Sequence, residues 1–330
     1  MLQSHSFSKH ESRPENVILR RARAYSPAGI SSFFGISDRE INGRPISNPL
    51  RIGAIGGGFV ISRGVKTEVQ VERSRKDRFT VFLNGQRSGH ATVTENVIRS
   101  VLGKAGLCAK VTIYHAIEPP IGCGYGTSGA GALSTALALS QAVDLSLTYH
   151  EIGQIAHVAE IKCKTGLGTV GPLMVGGNVV TVKPGAPGLC VMDRIPLKSD
   201  YRVITGCFGP MSKRVVLGNR MLHSRINKYG RLALRTILRK PNLNNFLLTS
   251  QRFAEKTGFM TERVRRLMLA MKNSGAVGAA QNMLGEAGHA LAEEGEARKV
   301  HKAIKRYLTE KQIFVTDLEF QGARLIHSSN

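Results

Sequence analysis

Two hydrophobic periods divide this chain. Polar and apolar residues alternate, with β-branched members, through 110–116, 65–72 and 78–83, and each stretch reads as a strand. Further strands are predicted at 17–23, 178–183, 201–208 and 313–315, the last being the final strand of the chain. The helical period governs other segments. Residues 132–143 are rich in Ala and Leu and predict a buried helix. Residues 92–102 fit a helix with Thr94, Glu95 and Asn96 near its start. Residues 148–161 predict a second long helix, opened by Thr148 as N-cap with Glu151 at the capping-box position. Asn84-Gly85 signals a hairpin turn. Small residues and a proline over 24–36 predict a tight, irregular loop, and 52–61 reads as a strand broken by a turn at Gly56-Gly57-Gly58. Pro184-Gly185-Ala186-Pro187-Gly188 is a clear break, and the expected domain boundary lies there.

Composition adds bounds to this picture. At 330 residues the chain is long enough for two domains. No apolar run approaches the roughly 18 residues of a membrane helix, so no membrane association is expected. The polar stretch 1–16 lacks a signal-peptide core and is expected to be a flexible extension of a cytoplasmic protein. Cys108, Cys123, Cys163, Cys190 and Cys207 are dispersed without a C-x-x-C pair, which supports neither a zinc site nor a disulfide framework. The net charge of +23 is unevenly placed, since no acidic residue occurs from 201 to 254. Arginines, lysines and apolar residues interleave there, which suggests amphipathic helices with a basic outer face. A solvated face, adaptation to high cytoplasmic salt, steering of anionic substrates and incidental RNA contact are the open readings of that charge.

Candidate chemistry concentrates in Pro120-Ile121-Gly122-Cys123-Gly124-Tyr125-Gly126-Thr127-Ser128-Gly129-Ala130. A glycine-rich turn passing from a strand into a helix N-terminus is a phosphate cradle. Its glycines let backbone approach an anion, and the first free N–H groups of the helix point at it. Thr127 and Ser128 add hydroxyls suited to phosphate or magnesium. A Walker loop is excluded because no Lys follows the glycines. The dinucleotide fingerprint G-x-G-x-x-G does match, and Asp144 and Glu151 lie within its spacing, so that reading stays open. His157 and Glu160 lie three apart and share a helix face.

The glycine stretch resembles the second motif of the GHMP small-molecule kinases, Pro, three residues, then Gly-Leu-Gly-Ser-Ser-Ala. Tyr125, Thr127 and Gly129 replace three of its members. The resemblance implies that Pro120, Gly122, Gly124, Tyr125, Gly126, Thr127, Ser128, Gly129 and Ala130 bind ATP. It also implies that Ser128 and Glu160, the latter in an Ala-His-x-x-Glu setting, hold Mg2+. Many relatives carry an aspartate general base where Thr169 stands here, and no carboxylate occurs from 161 to 192. Catalysis is then expected from Ser128, Glu160 and Lys164, by positioning and charge neutralisation.

Further resemblances lie in the Ser26-Pro27-Ala28-Gly29-Ile30-Ser31-Ser32-Phe33-Phe34 stretch, the Lys164-Thr165-Gly166-Leu167-Gly168 loop and the late glycine segment 278–286. Together they are similar to the archaeal pantoate kinases, although Ala28 and Gly29 stand where that family has Gly-His. Ser26, Gly29, Ser31, Ser32, Thr165, Gly166, Gly168 and Thr169 are the implied substrate-binding residues. The late segment has a reading of its own, as small residues that let backbone pack against a ligand or helix. The implied fold class is α+β: a ribosomal-S5-domain-2-like N-terminal domain over 17–190 and a ferredoxin-like C-terminal domain over 191–330, with the site between them. The implied activity is ATP-dependent phosphorylation of pantoate by a homodimer, with nucleic acid not an expected partner. A kinase for homoserine, shikimate or mevalonate is the alternative enzyme. A basic nucleic-acid binder on a degenerate kinase fold is the alternative of another class.

Overall fold

The computed structural model describes residues 20–211 and 220–326. The expected extension 1–16 and residues 17–19 of the first predicted strand lie outside them, as do Lys213 and Arg214 of the basic stretch. Two sheets organise the chain. The larger has eight strands in the order β12-β1-β2-β5-β3-β4, with β6 pairing to β2 and β7 to β6. Its members are β1 (Arg20–Ser37), β2 (Gly53–Arg73), β3 (Arg78–Leu83), β4 (Gln86–Arg87), β5 (Ala109–Ile117), β6 (Asn178–Lys183), β7 (Val191–Ile195) and the short β12 (Arg324–Leu325). Helices α1 (Thr92–Ala105), α2 (Thr127–Ala142), α3 (Tyr149–Cys163) and α4 (Val170–Val175) belong to this half. Helix α2 is buried almost all round. Its Ala, Gly, Ser and Thr side chains are small enough to let it sit among β1, β2, α1 and α3.

The 24–36 stretch is strand, not loop. β1 pairs with β2 throughout, with register shifts at Pro27/Ala28 and Ser31/Phe33. The proline thus sits at a bulge, where its missing N–H is tolerated. The glycine turn predicted at Gly56-Gly57-Gly58 is likewise absent, because β2 runs through it. A Cβ at Gly58 would lie 2.1 Å from Ile30 O, and one at Gly57 would lie 2.7 Å from the Phe33 ring. These glycines permit close approach of β1 and of aromatic rings, not a change of direction. Other expectations match the structure. Thr148 and Glu151 form a full capping box on α3, and Asn84 and Gly85 both take positive φ at the β3–β4 turn.

The smaller sheet has four strands in the order β11-β8-β10-β9, all antiparallel. They are β8 (Tyr201–Pro210), β9 (Gly278–Gln281), β10 (Gly285–Glu293) and β11 (Ile313–Asp317). This 4-1-3-2 arrangement is ferredoxin-like. Helices α5 (Arg220–Arg239), α6 (Leu243–Thr257) and α7 (Glu262–Asn273) connect β8 to β9, and α8 (Glu294–Ile304) connects β10 to β11. Phe246 and Phe253 of α6 meet Phe33 of β1 edge-on at 5.9 and 6.3 Å, which packs the two halves on one shared core. The late glycine segment proves to be β9, a turn and the start of β10. The sequence reading missed the exposed β7, β9, β10 and the two-residue β12. β12 follows the predicted last strand and returns to β1. The expected division after residue 190 precedes β7, which still pairs in the first sheet.

Candidate active site

A cavity of about 800 Å³ opens between the two halves. The phosphate loop forms one wall. It follows β5 and enters α2 through Gly122, Gly124 and Gly126, all at positive φ that a side chain would disfavour. No side chain caps α2 and no acidic residue lies in its first turn. Its N-terminal amides therefore remain available to an anion, and the helix dipole favours negative charge there. Gly122, Gly124, Tyr125, Gly126, Thr127 and Ser128 line the cavity.

Ser128 and Glu160 meet. The Ser128 hydroxyl donates to Glu160 Oε1 at 2.5 Å, and the Thr165 hydroxyl donates to the same oxygen at 2.5 Å. Glu160 is 3% exposed, so a buried carboxylate faces the head of α2 held by two hydroxyls. The last turn of α3 delivers Glu160, and the chain then reverses at Lys164 in the left-handed conformation. The following loop folds over it so tightly that a Cβ on Gly166 would lie 2.2 Å from Glu160 Oε2. The Thr169 γ-methyl rests on the phosphate loop, 2.6 Å from the Cβ position of Gly126 and 3.2 Å from that of Gly129. Gly29, Ser31, Lys164, Thr165, Gly166, Gly168 and Thr169 all line the cavity.

Other expected site residues sit in the framework. Ser26 is buried and donates to Pro27 O. Ser32 is buried and faces His289. Neither lines the cavity. Pro120, Gly129 and Ala130 are also outside the lining. Tyr125 lines the cavity, but its hydroxyl is spent on Thr205 at 2.6 Å, and burial raises its pKa far above that of a free phenol.

The sequence reading missed the polar network behind this wall. His289 Nδ1 donates to Asn282 Oδ1 at 2.8 Å, while its Nε2 accepts from Ser32 at 3.1 Å. Burial lowers the His289 pKa to about 3, so the ring is neutral and that tautomer is fixed by its partners. Thr205 receives Tyr125 and passes its own proton to Gly288 O. Gly285 of β10 lies so near the phosphate loop that a Cβ there would be 2.1 Å from Cys123 O. The second sheet thus supports the loop from behind. No spacing signal announces these contacts, because all but the Asn282–His289 pair join residues far apart in sequence.

Residues 92–177 match the family GHMP kinases N terminal domain. The chain is 34% identical to a pantoate kinase from Thermococcus kodakarensis over 86% of its length and 91% of the relative's. The chain belongs to the pantoate kinase family. A pantoate kinase from Methanocaldococcus jannaschii is 33% identical, over 79% of this chain and 89% of the relative. The fold of this kinase superposes on a solved phosphotransferase related to CoA biosynthesis pathway with a TM-score of 0.84, at 27% identity, covering 94% of this chain and all of the other. It is a small-molecule kinase of the α+β GHMP fold.

The donor set of this kinase suits magnesium. Glu160 and Ser128 offer hard oxygens, and Mg2+ commonly takes one or two carboxylates and completes its shell with phosphate and water. No cluster of three or more acidic, His or Cys side chains occurs among the described residues.

Proposed function

We propose that this protein transfers the γ-phosphoryl group of ATP to the 4-hydroxyl of pantoate, yielding 4-phosphopantoate for coenzyme A synthesis. The observation that carries the proposal is the Ser128–Glu160 pair at the uncapped head of α2, inside a cavity that both halves of the chain line. The pantoate kinase relatives supply the acceptor. We place the ATP-binding half at 17–195, extending the expected domain through β7, and the C-terminal half after it. A cytoplasmic homodimer is the expected assembly. No helix among the described residues is long and apolar enough to cross a membrane.

In this reading the Gly124–Gly126 amides and the first turn of α2 cradle the phosphates. Ser128 and Glu160 hold magnesium, which when bound neutralises charge on the transferring phosphoryl oxygens. Thr165 fixes the Glu160 carboxylate. Lys164 places a cation at the cavity edge, where negative charge collects in the transition state. Gly29, Ser31, Gly166, Gly168 and Thr169 form the acceptor side. Thr169 brings a hydroxyl and a methyl but no base, so the acceptor proton leaves late, to solvent or to a phosphate oxygen. The transition state is loose enough to allow this.

A coupled kinase assay on pantoate, homoserine, shikimate and mevalonate tests the assignment. Pantoate is expected to give the highest kcat/KM by tenfold or more. A higher kcat/KM on another acceptor overturns the substrate, and no turnover on any, with ATP bound, overturns the kinase reading.

A further inference from the structure

Two cysteines far apart in the sequence meet where the second sheet backs the phosphate loop. Residues 122–125 lie against β8 in reverse order, through three contacts. The Cβ position of Gly122 is 3.4 Å from Pro210 Cβ, and the Tyr125 hydroxyl is 2.6 Å from Thr205 Oγ1. Between these two, the side chains of Cys123 and Cys207 hydrogen-bond each other. Strand β10 sets the depth of the contact. Its Gly285 and Ala287 pair with Pro210 and Cys207, and a Cβ on Gly285 would lie 2.1 Å from Cys123 O. Both thiols are buried, at 4% and 5% exposure, in the apolar core that the two halves share. The dispersed cysteines of the sequence offer no such pair; the fold makes one.

The two thiols are not equivalent. The hydrogen bond with Cys207 lowers the Cys123 pKa, against the opposing effect of burial. The same bond, together with burial, raises the Cys207 pKa. Cys123 is therefore the sulfur that ionises, and Cys207 keeps its proton and directs it at the thiolate. A thiolate is the form that peroxide oxidises, and an adjacent thiol resolves the product to a disulfide. Access comes from the cavity. Gly122 and Gly124, on either side of Cys123, both line it, and peroxide is little larger than water. The other three cysteines are placed differently. Cys108 is exposed, Cys163 accepts from the Asn96 amide at 3.4 Å, and burial raises the Cys190 pKa.

We propose that Cys123 and Cys207 form a peroxide-sensitive dithiol, whose disulfide ties the phosphate loop to β8 and weakens its hold on ATP. The effect on ATP rests on that loop being the nucleotide site. Peroxide transfers one oxygen to the Cys123 sulfur, giving a sulfenic acid and water. The Cys207 sulfur then attacks the Cys123 sulfur and expels a second water. Two thiols and one peroxide thus give one disulfide and two waters, with two electrons passing from sulfur to oxygen. Closure draws the sulfurs from hydrogen-bonded contact to covalent distance. The Gly285 backbone already abuts Cys123 O, so the loop has no slack toward the second sheet. The adjustment falls on Gly122 and Gly124, whose positive φ sets the direction of the cradle amides.

Mass spectrometry of non-reduced peptides from the full chain, before and after hydrogen peroxide, reads the bond directly. A Cys123–Cys207 link is expected after peroxide and should disappear with dithiothreitol. Calorimetry reads the Kd for MgATP on the same samples. It should rise about tenfold on oxidation, the effect of losing one hydrogen bond to a charged group, and return on reduction. Cys207→Ala should bind MgATP like the parent and hold that Kd through peroxide. The peptide map is taken on the parent chain, so it decides the bond however the variant folds. Absence of the link overturns the proposal. So does a linked chain with unchanged Kd, or an equal rise in Kd for Cys207→Ala. A reduced chain that binds no MgATP overturns the nucleotide reading of the loop and the effect on ATP with it, while the map still decides the bond.

Discussion

Replacing Gly166 with alanine tests the active-site geometry most sharply. The new Cβ would lie 2.2 Å from Glu160 Oε2, whereas ordinary contact begins at 3.4 Å. The carboxylate must retreat by about 1.2 Å, the difference between those two distances. Its other oxygen holds both Ser128 and Thr165 at 2.5 Å, and a retreat of that size takes at least one of these bonds beyond hydrogen-bonding range. A hydrogen bond to a charged group contributes about 1.5–3 kcal/mol. At about 1.4 kcal/mol per factor of ten, turnover should fall by about ten- to a hundredfold. Gly166 does not occupy the positive-φ region, so alanine imposes no backbone strain, and stability should drop only by the roughly 1–3 kcal/mol of local overpacking. The assay is steady-state kinetics across a magnesium titration, with thermal melting in parallel. The variant should keep its cooperative melt, lose kcat and require more magnesium. Wild-type turnover at wild-type magnesium would refute the claim that the position of Glu160 governs the chemistry.

Ser128→Ala and Glu160→Gln should each lower kcat tenfold or more with the fold retained, and Glu160→Gln should raise the magnesium requirement; an unchanged magnesium titration would remove Glu160 from the metal site. Thr169→Ala should keep most activity and Thr169→Asp should bring no large gain, because no side chain of this loop takes the acceptor proton; a thousandfold loss in a folded Thr169→Ala enzyme would show the side chain to be essential. Acid should destabilise the fold over a defined window. Burial lowers His115 to about 4 and His289 to about 3, while unfolded histidine titrates near 6.5, so from about pH 6.5 down to about 4 the unfolded state binds protons that the folded state refuses. Each ring should then remove about 1.4 kcal/mol per pH unit as pH falls. Urea midpoints that stay flat between pH 6.5 and 4 would contradict the neutral buried rings.

The sequence alone determined the elements whose signal is local. Alternation located β3, β5 and the second part of β2, Thr148 and Glu151 fixed the start of α3, and the glycine loop before an Ala-rich helix announced the phosphate cradle. The resemblance named Ser128 and Glu160, and the structure brings their side chains together. Tertiary structure decided what local signals misdirect. Proline and glycine at 27 and 56–58 read as turns in isolation, yet a partner strand uses them for a bulge and for close approach. Ser26 and Ser32 stand outside the cavity lining, Ser26 bonded to Pro27 O and Ser32 to His289. His289, Asn282 and Thr205 could not have been found along the chain. Their roles arise only where the second sheet packs behind the phosphate loop, and a buried polar group takes its meaning from the partner that folding brings to it.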